Sequence, residues 1–124
     1  MKIIPLILAT LAVSFMEVSA QIIPVKDGDL YSFDFANVFF EVDASVGARI
    51  SSFEVNGTQV LSTTRSDNYS WGSTFWPSPQ ADWTWSQWGN WPPPAIMDEQ
   101  PYTGGIGDTT IILTSAVDDG PGLQ

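Results

Sequence analysis

Six tryptophans, Trp71, Trp76, Trp83, Trp85, Trp88 and Trp91, fall within one stretch of 21 residues. Indole is flat and apolar on its faces and carries a polar N–H on its edge. The C–H face of a pyranose stacks on such a ring. Gln80, Asp82, Gln87 and Asn90 are interspersed among the tryptophans and can hydrogen-bond sugar hydroxyls. Aromatic walls with a few convergent polar groups are the usual form of a small-ligand pocket. Trp83 and Trp85 share a face if the chain is extended there. Trp76, between Phe75 and Pro77, is expected to be buried. Arg65, just before the segment, can anchor a carboxylate or a sugar hydroxyl; its plainer role is a rim ion pair worth about 0–1 kcal/mol. The candidate ligand-binding residues are therefore Trp76, Gln80, Asp82, Trp83, Trp85, Trp91 and Arg65, with a mono- or oligosaccharide as partner. The competing reading is a satellite core, because large aromatics usually pack, and roughly half the rings are assigned to packing.

Other chemistries find less support. Glycoside hydrolysis needs two carboxyl groups about 5–10 Å apart, and Asp82, Asp98, Glu99 and Glu54 are available. With 14 acids in the chain, such pairs arise by chance. Asp118-Asp119-Gly120 and Gly107-Asp108 lack the ligand spacing of a calcium loop. Asn56-Gly57-Thr58 and Asn68-Tyr69-Ser70 match the N-glycosylation pattern, which matters only in a eukaryotic secretory pathway. There is no Cys and no His, so the chain has no disulfide, no thiol nucleophile and no imidazole acid or base. No metal site and no cofactor are expected. The formal charge of −10, with 4 cationic side chains in 124 residues, argues against nucleic acid and against an anionic membrane surface. A charged fraction of 15% beside 44% apolar residues is not the composition of a disordered chain.

The elements that must position these residues begin after an address. Met1-Lys2, the apolar run Ile3 to Phe15 and Val18-Ser19-Ala20 read as a signal peptide cut after Ala20, sending residues 21–124 to the periplasm or outside. The apolar run is too short to span roughly 30 Å of hydrocarbon. Gln21 to Ala36 reads as a lead-in with a turn at Lys26-Asp27-Gly28-Asp29. Asn37 to Ala44 alternates as a half-buried strand. Ala48 to Val55 is the next strand, but its alternation slips between Ile50 and Phe53. A β-bulge near Ser51-Ser52 would restore one inner face. Asn56-Gly57 predicts a hairpin turn, with Thr58 to Ser62 returning. Trp71 to Trp76 is a candidate short strand, Thr103 to Asp108 a flexible turn, and Thr109 to Val117 a strand with an exposed edge. Asp67 to Tyr102 is otherwise an irregular aromatic segment in which proline forbids regular pairing. The expectation is an all-β chain, an antiparallel β-sandwich, with no helix after the signal peptide.

Gly47-Ala48-Arg49-Ile50-Ser51-Ser52-Phe53, Asn56-Gly57, the stretch Gly72-Ser73-Thr74-Phe75-Trp76-Pro77-Ser78-Pro79-Gln80, Asp82-Trp83 and Trp91-Pro92-Pro93-Pro94 together resemble a bacterial family of secreted domains of unknown function, number 4380. That family is related to the galactose mutarotase-like proteins. The resemblance covers about Asn37 to Tyr102. It implies a longer β-supersandwich that binds carbohydrate on a concave face, of which this chain is the N-terminal part. In mutarotases a His acid and a Glu base lie further along the chain. No His is present here, so that pair is not carried over. Hexose-phosphate epimerase relatives often place Arg before a Gly pair. Trp71 stands there, ahead of Gly72-Ser73, which argues against a phosphorylated sugar. Three readings follow. One is a carbohydrate-binding module without assigned catalysis. The second is the N-terminal part of an aldose epimerase or other sugar-processing enzyme with catalytic residues beyond Gln124. The third is a structural domain whose tryptophans only pack.

Overall fold

A computed structural model of the chain describes residues 22–66, 70–76 and 93–117. These residues form an all-β structure with antiparallel pairing and one short helix. Five strands make a meander in sequence order: β1 (Val25–Asp27), β2 (Leu30–Phe35), β3 (Val38–Asp43), β4 (Arg49–Val55) and β5 (Thr58–Gln59). The helix α1 (Ala95–Asp98) precedes a hairpin of β6 (Thr103–Ile106) and β7 (Ile111–Thr114). The signal-peptide reading of residues 1–20 lies outside the described residues.

Three of the four connections in the meander are two-residue turns, and each of these uses left-handed backbone. Gly28 begins the first at φ 60°, Ala36 the second at φ 53°, and Asn56-Gly57 form the third at φ 52° and 71°. Positive φ at both central residues makes the Asn-Gly turn the type whose twist matches the strands it joins. Asn56 lies in that turn for the reason read from the sequence: a short polar side chain tolerates the left-handed region better than other residues. The lead-in, read from the sequence only as a turn with flanks, is two paired strands. Its Gly28-Asp29 turn folds residues 25–35 back as a hairpin, and Leu30–Phe35 alternates across the sheet as well as the strand that follows it.

The bulge lies at Ser51. Glu41 pairs with Ser52 while Val42 pairs with Ile50, leaving Ser51 as the extra residue. Its hydroxyl donates to Glu41 Oε1 at 2.8 Å. The slip puts Ile50, Phe53 and Val55 on the same face, where they join Val42, Phe40 and Val38 of β3 and Tyr31, Phe33 and Phe35 of β2. Phe40 stands between Phe33 and Phe53, with centroids 6.4 Å away on each side. The opposite face carries Ser32 and Asp34 of β2, Phe39, Glu41 and Asp43 of β3, and Arg49, Ser52 and Glu54 of β4.

Thr103–Ile106 is a strand, not the flexible turn its glycines predicted. Gly104 explains the difference. A Cβ there would lie 2.5 Å from the Tyr31 ring and from Leu113 of the partner strand, so glycine lets β6 lie directly against Tyr31. The return strand after Asn56-Gly57 is shorter than predicted. Gln59 ends it by turning its side-chain carbonyl onto the backbone N–H groups of Phe53, Val60 and Leu61. Trp71 to Trp76 is no strand; only Ser73 pairs, exchanging two backbone hydrogen bonds with Ile50 at 2.8 and 3.1 Å. The four-residue helix at Ala95 starts where the proline run ends, a position that needs no intrahelical N–H.

Candidate functional site

The functional geometry gathers on the polar face of the sheet, at the end where β3 turns into β4. Gly47, at φ 67°, lies in that turn, and a Cβ on it would stand 2.4 Å from the backbone carbon of Asp98. Gly72, at φ 61°, approaches the Ile50 carbonyl equally closely. The two glycines let the helix and the Trp71–Trp76 segment lie directly on the sheet. Backbone bonds from Gly47 N–H to the Gln100 carbonyl and from Tyr102 N–H to the Ala44 carbonyl secure the helix side.

Arg49 is the centre of the site. It is 2% exposed and forms an ion pair with Asp98, 1% exposed, at 3.0 Å. Nη1 donates to the Trp71 carbonyl at 2.7 Å and Nη2 to the Asp98 carbonyl at 3.2 Å. Asp98 Oδ1 accepts the indole N–H of Trp76 at 3.1 Å. Oδ2 faces the guanidinium without an aligned hydrogen bond, and the Arg49 Nε–H also lacks an acceptor. The pair therefore does not recover the full desolvation cost of two buried charges. Its effect is positional: one arginine ties the sheet, the Trp71 backbone and the helix together.

Trp71 is buried between two cations. Arg49 lies 4.8 Å from its ring centroid and Arg65 lies 4.1 Å away. Arg65 also pairs with Asp43 at 3.1 Å, and its side chain remains 59% exposed. Asp43 is fixed by the backbone N–H and hydroxyl of Ser45. The Arg65 guanidinium thus covers an indole face and keeps a solvent-facing edge with donors to spare.

The sequence placed Trp76 in the interior, and the structure corrects this. Trp76 is 36% exposed and neighbouring Phe75 is 82% exposed. The reason is the N–H bond to Asp98, which fixes the indole at the rim. Trp71, which the sequence reading did not include among the candidate ligand-binding residues, takes the buried place instead. Of the predicted site residues, Arg65 and Trp76 are brought to one cluster through Trp71, Arg49 and Asp98. Gln80, Asp82, Trp83, Trp85 and Trp91 lie outside the described residues. Arg49 and Asp43 were not singled out as site residues. The signal for them was an arginine and an acid placed at facing ends of consecutive strands.

Asp98, a candidate carboxylate for acid–base chemistry, is committed to Arg49 and Trp76. Tyr102 donates to the Met97 carbonyl at 3.3 Å. Its phenol is pushed above the usual 10.0, first by burial and then by the negative charge of Asp98. Among the described residues, no three acidic side chains converge as metal ligands. No helix among them is long and apolar enough to cross a membrane. No family model, curated protein or solved structure matches the chain.

Proposed function

We propose that this chain is a secreted carbohydrate-binding β module, in which a sugar ring stacks on the aromatic rim beside Arg65. One observation carries the reading: Trp76 is half-exposed, yet its ring is held by the bond to Asp98, which Arg49 holds in turn. A platform ordered before the ligand arrives avoids the cost of ordering it on binding. Exposed Phe75 extends the apolar surface, and Arg65 offers donors for hydroxyls or for a uronic carboxylate. The resemblance to the mutarotase-related family points to the same ligand class and to a sandwich completed by further strands. The tryptophans and polar residues of 77–92 extend the site on the sequence reading alone.

The test is titration of the chain with a panel of neutral and uronic oligosaccharides, followed by tryptophan fluorescence and calorimetry. The expected result is a saturable change that Trp76→Ala weakens by about 2 kcal/mol, the scale of a central aromatic contact. A folded chain that responds to no member of the panel overturns the reading. The packing-only alternative fits Trp71, which is buried. It predicts that Trp76→Ala reduces stability and leaves sugar response absent in both forms.

A further inference from the structure

The far end of the same polar face carries a second arrangement. Asp34 of β2, Phe39 of β3 and Glu54 of β4 are directly opposite one another across three strands, so their side chains stand in one row. They line an open depression of about 590 Å³, with Asn37 and Asn56 at its rim. That volume lies within the 300–1,000 Å³ usual for small-ligand sites. Arg49 and Glu54 are five positions apart on β4, roughly 16 Å at the rise of a strand, so this depression is separate from the Trp76 rim.

The row is built. The Asn37 amide donates to the Asn56 carbonyl at 2.9 Å, tying two turns together beside the depression. Gln59 donates to the Ser52 hydroxyl at 2.7 Å, and Ser52 stands next to Glu54 on the same face. Phe39 is half-buried. Among the described residues, neither Asp34 nor Glu54 has a cationic partner; the ion pairs there belong to Arg49 and Arg65. A half-buried phenyl ring flanked by two carboxylates without a cationic partner, one of which accepts the Ser52 hydroxyl at 3.5 Å, is complementary to a positive charge carried on an apolar frame. The ring attracts a cation over its face, and the carboxylates accept charge-assisted hydrogen bonds. The two rim amides add donors and acceptors for neutral hydroxyls.

We propose that this depression binds a protonated amino sugar, with the ammonium between Asp34 and Glu54, the sugar's C–H face on Phe39 and its hydroxyls at Asn37 and Asn56. The site does not depend on the Trp76 reading and uses none of its residues.

The experiment titrates the full chain with a glucosamine tetramer at pH 6, with its N-acetylated counterpart and with a lysine tetramer. Binding is followed by calorimetry and by amide shifts of Phe39 and Glu54. The expected result is saturable binding of the glucosamine tetramer that weakens as salt rises. The N-acetylated form binds at least about tenfold more weakly, the scale of a charged hydrogen bond. Asp34→Asn with Glu54→Gln, both isosteric, abolishes the preference, while Asp27→Asn with Asp29→Asn, which removes the same charge from the exposed β1–β2 turn, leaves it. Phe39→Leu lowers affinity for the sugar. Equal binding of the two sugar forms, or an unchanged preference in the double variant, overturns the proposal. Equal binding of the lysine tetramer overturns the assignment to a sugar. Loss of glucosamine binding in Trp76→Ala alone assigns that binding to the aromatic rim and also overturns it.

Discussion

At the residue scale, Arg49 holds the site together. It answers a buried carboxylate, a backbone carbonyl and an indole face at once. Its partner is left stranded if it is removed, and an uncompensated buried charge is costly. Arg49→Met is expected to lower the unfolding free energy by about 3–5 kcal/mol, measured by urea denaturation. Arg65 makes the same kinds of contact from solvent, where water screens them. Arg65→Ala is expected to cost less than about 1 kcal/mol, and a loss matching that of Arg49→Met would contradict this assignment. Tyr102 supplies a pH signature. Its folded phenol titrates above 10.0, so the folded state holds the proton more tightly than the unfolded chain. That contribution is complete below the ordinary value and is lost as pH rises through the higher folded value. Tyr102→Phe is expected to remove part of the alkaline decline in stability. Asp98→Asn is expected to bring the Tyr102 titration, followed by ultraviolet absorbance, back toward 10.0, because it removes the neighbouring negative charge.

At the element scale, the bulge decides which residues meet. Without Ser51, Ile50 and Arg49 would exchange faces, placing a guanidinium in the aromatic layer and Ile50 toward Trp71. Deleting Ser51 is therefore expected to abolish cooperative unfolding. Ser51→Ala keeps the register and loses only the bond to Glu41, a cost of about 1 kcal/mol. Comparison of the two by denaturation and by amide spectra separates register from hydrogen bonding. Gly47→Ala tests the seat of α1. The added methyl meets Asp98 backbone at 2.4 Å and imposes positive φ on a residue that resists it. The expected result is a loss of more than about 1 kcal/mol together with a shift of the Trp76 indole N–H resonance.

At the scale of the whole molecule, charge and apolar surface oppose one another. Apart from Pro24 and Pro93, the buried apolar side chains among the described residues are few: Tyr31, Val42, Ala44 and Trp71. Ile112, 63% exposed on β7, and Phe35, 38% exposed on β2, remain in contact with water. Exposed strands with apolar side chains favour edge association, while the charge of −10 opposes it at low salt. Association is therefore expected to increase with salt in sedimentation runs at constant protein concentration. Ile112→Lys is expected to reduce it; a monomer at every salt concentration would show that the β7 edge does not associate.

Much of this fold was legible because local chemistry dictated it. Asn56-Gly57 fixes a hairpin by its backbone preferences alone, and the slipped alternation from Ile50 to Phe53 required an extra residue somewhere near Ser51. These signals concern neighbours in the chain, and the sequence contains them in full. The β1–β2 hairpin is not legible locally, because Gly28-Asp29 marks a turn and the short flanking β1 carries no alternation long enough to mark a strand. The β6 strand was missed because its glycines announce flexibility until Tyr31 is known to lie against them. The site depended most on tertiary structure. Arg49 and Asp98 are 49 positions apart, and no local rule brings them together. Nor does any spacing say that Trp71 is buried between two guanidiniums while Trp76 stays at the rim. Burial is decided by what crosses over a residue, and an indole N–H goes where a carboxylate waits. The composition alone settled that chemistry through thiol or imidazole is absent from this chain; which aromatic rings face water was decided by the fold.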